Sequence, residues 1–382
     1  MKQTIPLFIL ISCLFCSCGP AQDKFEKIVE DGVEVVLNHI EPYQLKGESS
    51  TFSLKEEFRI DTEMDKIAKI GLTDLRSFDV DSQGNIYFLK MGRGKGNNIF
   101  KFDKTGRFIS SFGMTGQGPG EFQSPTYIGI DNRGDVIITD RRKRKLIVFD
   151  NKGSYKKEIP FKKNVGFVHP LENGNYLTFY QVFYLPDSDY FSQSPLSLWS
   201  SEFEELKELD RFKVPNYLKY KKRKGTVPIF CWGISKKHIY IGNEDRGYEI
   251  WIYDLDGNLL RKIRKDYKKV PIPDEYKKER MKNLVPEEKN ITYFPAAFPP
   301  YRYFFTDHLG RLFVMTYEKG ENLNEYMYDI FNNGGIFIGR KSLKSFFTMG
   351  RACVKVRQNF LYGIEEKDSG YKELVVYKMT WE

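Results

Sequence analysis

Along most of this chain apolar and polar positions alternate in short runs, and the runs are punctuated by Asp-x-x-Gly. The clearest stretch reads Ile128-Gly129-Ile130-Asp131-Asn132-Arg133-Gly134-Asp135-Val136-Ile137-Ile138-Thr139-Asp140. After a polar gap it continues Leu146-Ile147-Val148-Phe149-Asp150-Asn151-Lys152-Gly153. Period-two runs of Ile, Val, Tyr and Phe suit half-buried strands. Asp-x-x-Gly between them is a reverse turn, in which the Asp side chain caps the turn amides and Gly accepts positive φ. These turns lack the further acidic ligands of a calcium loop. The unit is a small antiparallel sheet.

The unit repeats. The preceding copy runs from Phe78 to Leu89 and then from Ile99 to Phe108, and the spacing from Gly84 to Gly134 is 50 residues. Weaker copies follow at Val168 to Phe179 with Leu196 to Trp199, and at Cys231 to Ile241 with Ile250 to Gly257. Two more lie at Tyr303 to Val314 with Tyr328 to Gly334, and at Val354 to Ile364 with Leu374 to Tyr377. That makes six. One such sheet cannot bury both faces alone, so copies stack into a ring. The predicted fold is all-β: a six-bladed β-propeller of four-stranded antiparallel blades. The last copy lacks a strand, and the apolar positions Phe52, Leu54, Phe58 and Ile60 mark Phe52 to Ile60 as the strand that closes the ring. Closure of this kind removes an exposed edge.

Three segments depart from the repeat. Residues 18–51 read as a tether with a short strand around Val33 to Leu37. Pro271 to Pro286 does not fit a blade. Pro273-Asp274-Glu275 opens a helix and Pro286 ends it, giving a helical insertion at about 272–285 between blades four and five. It either covers a ring edge or walls a ligand site. Gly113 to Phe122 is glycine-rich, but it precedes no helix and carries no Lys-Ser/Thr, so it is not a phosphate loop.

Hydrophobic content of 41% and aromatic content of 15% are ample for blade-to-blade packing. Residues 1–17 form a secretory signal: Lys2, then an apolar run from Ile5 to Phe15 that is too short to span a bilayer. Phe15-Cys16-Ser17-Cys18 resembles the lipobox of bacterial lipoproteins, which makes Cys18 the expected site of lipidation. Leu10-Ile11-Ser12-Cys13 is a rival with a shorter apolar run. The propeller then occupies residues 52–382. Cys231 and Cys353 fall on inner strands of non-adjacent blades and read as buried apolar thiols rather than a disulfide. His39, His169, His238 and His308 are scattered, with no metal pair among them.

Gly116-Gln117-Gly118-Pro119-Gly120-Glu121-Phe122, then Pro125, Ile128-Gly129-Ile130-Asp131 and Val148-Phe149-Asp150-Asn151-Lys152-Gly153, resemble an NHL repeat. With the lipoprotein signal, the six copies, the insertion and the ending Gly370-Tyr371-Lys372-Glu373-Leu374-Val375-Val376-Tyr377, residues from about 50 to 380 resemble the bacterial six-bladed propeller lipoproteins. The resemblance implies a fold and an envelope address, but no reaction. NHL-type propellers include protein- and RNA-binding modules, and related rings include lactonases and lyases. Fold does not carry function between them.

Propellers bind ligands at the mouth of the central channel, on loops entering the innermost strands. The matching positions are Arg76, Tyr127, His169, Trp232, Arg302 and Arg351. Arg pairs carboxylates and phosphates in a bidentate manner, and the rings supply stacking surface. The set suits an anionic or sugar-like ligand, unless these side chains plug the channel by pairing with one another. A gluconolactonase-like ring would hold a divalent metal through Glu, Asn and Asp. The corresponding positions here are basic or aromatic, so neither metal nor cofactor is expected. Nothing resembles Gly-x-Ser-x-Gly, and no catalytic residue is assigned.

The net charge is +9. Basic residues concentrate at Arg141 to Lys145, Lys219 to Lys224 and Arg261 to Lys269. Such runs beside aromatics suggest nucleic acid in a cytoplasmic protein. An export signal favours anionic lipid, acidic glycan or an acidic protein partner instead, or simply a solvated surface. The sequence therefore reads as a monomeric, lipid-anchored cell-envelope propeller that binds an envelope protein or an anionic or sugar-like ligand. An envelope lyase or hydrolase acting on a sugar- or peptide-like substrate is the alternative, with NHL-type nucleic-acid binding third. Only Asp23 is acidic near Cys18, so periplasmic and surface-exposed faces both remain open.

Overall fold

A computed structural model describes residues 25–47, 49, 51–73, 75, 77–91, 96–163, 165–184, 188–348, 351–352 and 354–381. The alternating runs form strands, and the strands sort into six antiparallel blades around a central channel. The innermost strands of blades 1 to 6 are Ser77–Val80, Pro125–Ile130, Val165–Pro170, Phe230–Ile234, Tyr303–Thr306 and Val354–Arg357. The protein is a six-bladed β-propeller.

The local code works as its chemistry requires. Asp81 accepts the backbone N–H groups of Gln83 and Asn85, and Gly84 sits at φ +84°. Asp131, Asp150, Asp254 and Asp307 cap their turns in the same way. In the outer turns glycine has a second task. A Cβ on Gly106 would lie 2.6 Å from the Phe58 ring, and one on Gly153 would lie 2.7 Å from the Phe112 ring. Both rings belong to the outermost strand of the preceding blade, so the turn glycine also sets how closely neighbouring blades nest.

Six apolar clusters fill the six junctions between blades. Ile137, Leu146, Phe161, Val168 and Trp199 join blades 2 and 3, and Leu177, Leu198, Ile239 and Tyr253 join blades 3 and 4. Each fully buried ring or branched chain contributes about 1.5–3 kcal/mol. The ring closes through Phe52–Asp61, which pairs antiparallel with Lys372–Trp381 from Phe52↔Trp381 to Asp61↔Glu373. Blade 6 therefore contains both the last strand of the chain and a strand from near its beginning.

Two elements differ from the sequence expectation. The strand expected around Val33 to Leu37 is present as Val33–Asn38, but it belongs to a hairpin; residues 18–24 of the expected tether lie outside the described residues. Phe25–Glu30 and Val33–Asn38 pair antiparallel, and the second lies parallel to Leu259–Lys265, the outer strand of blade 4. Asp31 and Gly32, both at positive φ, make the two-residue turn that the hairpin needs. Blade 4 thereby becomes six-stranded, and blade 3 gains the short strand Val182–Phe183. The insertion is also longer than expected. Helix Asp274–Lys282 is followed by a second helix, Pro286–Ile291. Pro286 starts that helix rather than ending the first, because a missing N–H costs nothing in a first turn. Beyond it, Thr292–Tyr293 pairs parallel with Arg223–Lys224 and ties the insertion to the loop before blade 4.

The third basic run is not a free surface. Arg261 pairs with Glu34, Arg264 with Glu30 at 2.9 Å and with Glu249 at 2.6 Å, and Lys265 with Asp329 at 3.5 Å. The hairpin supplies two of these carboxylates, so the run fastens the hairpin to the ring. In the second run, Lys219 meets Asp189 at 2.7 Å, Arg223 meets Glu288 at 2.8 Å and Lys224 meets Glu244 at 3.1 Å.

Candidate functional site

The innermost strands surround a cavity of about 1340 Å³. Tyr127, His169, Trp232 and Arg302 all line it. Arg76 lies outside the described residues, as does Cys18, and Arg351 is described only as backbone in the strand Arg351–Ala352. Four of the six predicted site residues are thus brought to one space.

One wall is aromatic. Trp232 on blade 4 lies 5.2 Å from Phe167, 5.1 Å from Phe179 and 6.0 Å from Phe230 between ring centroids. All four rings are half-buried and line the cavity. Tyr127 on blade 2 continues this wall, edge-on to Phe167 at 4.5 Å, and its hydroxyl lies 2.9 Å from His169 Nδ1. Burial, then the cations of Lys355 and Arg357, pull the His169 imidazole down to about 3 against the opposing pull of Asp79. His169 is therefore neutral at ordinary pH.

A second wall is cationic and is shared by blade 5 and the insertion. The Arg302 guanidinium lies 4.8 Å from the Tyr326 ring and 5.5 Å from the Tyr317 ring. Lys319 Nζ donates to the Tyr326 hydroxyl at 2.9 Å. Burial opposes ionisation of that hydroxyl, yet Lys319 and Arg302 outweigh it and hold the hydroxyl below the usual phenol range. Tyr317 stacks on Phe298 at 4.2 Å, and Phe298 takes the edge of Tyr276 at 4.9 Å. Helix Asp274–Lys282 buries no residue of its own, but Tyr276 and Arg280 face the cavity. The insertion is a wall of this space.

Deeper in the channel sits a group that the sequence reading missed. Asp79, 1% exposed, accepts the N–H groups of Val80 at 2.9 Å and Ile130 at 3.0 Å and lies 3.4 Å from Lys355 Nζ. Arg357 donates to the Val80 carbonyl at 3.1 Å. Asp79 thereby ties blades 1, 2 and 6 together at the axis. A signal existed: Asp79 occupies the repeat position held by Gly129 in blade 2, and Lys355 alternates with Val354 and Val356 in an innermost strand. Charges inside innermost strands must meet across the channel. Cys231 is half-buried, and burial raises its thiol well above the usual range. Among the described residues, no three His, Cys, Asp or Glu side chains gather as a metal-binding group.

A family model described as a 6-bladed beta-propeller, DUF5128, matches residues 75–222. Among solved structures, a candidate exported protein of Bacteroides fragilis NCTC 9343 is 12% identical with a TM-score of 0.50, over 91% of this chain and 99% of its own. A member of the DUF4221 family from Bacteroides vulgatus ATCC 8482 is 11% identical with a TM-score of 0.53, over 88% of this chain and 100% of its own. Virginiamycin B lyase of Staphylococcus aureus is 12% identical with a TM-score of 0.42, over 86% and 99%. Likenesses at such identity show the fold alone. No curated protein matches the chain.

Proposed function

We propose that the protein is a non-catalytic binding module of the bacterial cell envelope, anchored through a lipid on Cys18, with its ligand in the central channel. The observation that carries the ligand site is the convergence of Tyr127, His169, Trp232 and Arg302 on one large cavity. Ligand sites are concave, mostly apolar and provided with a few placed polar groups. The cavity matches that description and suits a small anionic or sugar-like ligand better than a macromolecule. A neutral His169 with so low a proton affinity is a poor general base near pH 7, which weighs against a hydrolase or lyase built on it. The envelope address rests on the N-terminal signal and Cys18. The Bacteroides fragilis protein of the same fold is likewise a candidate exported protein.

Soluble protein without the signal and Cys18, residues 19–382, is to be incubated with envelope extract, gel-filtered and denatured, and the released small molecules identified by mass spectrometry. One compound at stoichiometric yield is expected from the wild type, with loss from Arg302→Gln and Trp232→Ala. Equal release from all three proteins refutes the channel site. Cys18→Ala should move the full-length protein from the membrane to the soluble fraction.

A further inference from the structure

On the footing that the channel is the ligand site, we propose that its ligand is an amphiphilic anion: an apolar or aromatic body carrying one carboxylate, phosphate or sulfonate head. Three features support this narrower class over a sugar.

The aromatic wall offers stacking surface but few hydrogen-bond partners for a hydroxyl-rich ligand. Phe167, Phe179 and Phe230 surround Trp232, and phenylalanine has no polar handle. A sugar brings many hydroxyls that must find partners when water is removed, and leaving them unmade is costly. An apolar body has no such demand. It gains roughly 25 cal/mol for each Å² withdrawn from water.

Charge is distributed along the axis rather than evenly. At the end where loops enter the innermost strands, Arg141, Arg280, Arg302 and Lys319 line the cavity, with Glu275 opposing them. At the other end Asp131, Asp307 and Glu172 are paired with Arg133, Arg311 and Arg357, and Lys236 offsets Asp81. An anionic head is therefore favoured at the entrance, where cations outnumber carboxylates, over the balanced far end.

Arg302 and Trp232 stand on adjacent blades, so one small molecule can touch both. The head group meets Arg302 and Lys319 over the rings of Tyr317 and Tyr326. The same two cations hold the Tyr326 hydroxyl below the usual phenol range. The body lies across Trp232 and its three phenylalanines.

The test uses 8-anilinonaphthalene-1-sulfonate and its uncharged twin, N-phenyl-1-naphthylamine, in fluorescence titrations of the same soluble protein. Saturable binding of one sulfonate per chain is expected, tighter than binding of the neutral twin. Arg302→Gln should weaken the sulfonate about tenfold, one charge-assisted contact, and leave the twin unchanged. Trp232→Ala should weaken both. Thermal melts accompany each variant, and Trp232→Leu replaces Trp232→Ala if the latter does not fold. Equal affinity for both twins, or a sulfonate affinity indifferent to Arg302→Gln, overturns the proposal. Binding of a hexuronate in the absence of sulfonate binding overturns the amphiphile while leaving the channel site standing. Probe binding indifferent to Trp232 overturns both.

Discussion

Asp79→Asn should destabilise the ring by about 3 kcal/mol, through three contacts at the axis. The carboxylate accepts from Val80 N–H and Ile130 N–H and faces Lys355. Asparagine keeps one acceptor oxygen. Its amide then points a donor at either the Ile130 N–H or the Lys355 ammonium. Breaking a buried ion pair from one side costs about 3–5 kcal/mol. The Lys355 side chain is 26% exposed and rehydrates through the channel, so the lower end of that range applies. With an unfolding entropy of about 2.1 cal/mol/K per residue, a chain of this length loses about 1.2 °C per kcal/mol, or about 4 °C in all. Calorimetry at pH 7 measures it. Lys355→Met added to Asp79→Asn removes the stranded ammonium and should recover more than half the loss. The pH dependence has a definite sign. Burial pushes the Asp79 carboxyl up, but Lys355, Arg357 and the Ile130 N–H more than offset it, so its pKa falls on folding. That stabilisation is present above the unfolded carboxylate range and is lost as pH drops through the folded value. The gap between wild type and Asp79→Asn should therefore close in acid. A variant within 1 °C of wild type at pH 7, a gap that widens on acidification, or strict additivity in the double variant would refute the reasoning.

His169 gives a second pH signature. The unfolded imidazole takes a proton below about 6.5 while the folded one stays neutral to about 3, so wild-type stability should fall as pH drops through that window. His169→Asn, which keeps an acceptor for Tyr127, should flatten the slope by up to one proton in urea melts taken from pH 7 to 4. Asn38→Ala should cost about 3 kcal/mol. It strands the Phe337 N–H, held at 2.7 Å, and the Gly335 carbonyl, held at 3.0 Å, in buried surroundings. An unchanged denaturation midpoint would mean that the hairpin contributes little. Gly153→Ala should destabilise by about 1–3 kcal/mol because φ +90° and the Phe112 ring both oppose a Cβ. Phe112→Ala in the same chain should relieve the steric part, as a double-mutant melt would show.

What the sequence made legible was local or periodic. Asp131, Gly134, Asp150 and Gly153 encode their turns within four residues, so the copies could be counted and their phase assigned. Phase then placed Tyr127, His169, Trp232 and Arg302 toward the axis. What stayed hidden depended on partners far along the chain. Val33 to Asn38 reads as an isolated strand because nothing local announces a parallel partner at Arg261 to Lys265. Asp79 reads as an ordinary polar position until Lys355 is known to face it. The Arg261 to Lys269 run reads as free charge because its counterions, Glu30 and Glu34, belong to the other end of the sequence. Pro286 reads as a stop because proline ends one helix and starts another by the same missing N–H.

The closing strand has a consequence for the order of synthesis. Phe52–Asp61 leaves the ribosome before any blade exists, whereas Arg59 meets Glu373, 314 positions later. The hairpin waits as well, since Arg261 bonds to Glu34 across 227 positions. Blades 1, 2, 3 and 5 hold all of their strands in contiguous sequence and are free to form as they emerge. Phe52–Asp61 is therefore among the last strands to dock, and its apolar side chains stay uncovered until Lys372–Trp381 arrives. Pairings of such high contact order are slow and expose the chain to misassembly in the interval. Shortening the chain by its final strand would leave two strand edges unmatched, one at each end of its history.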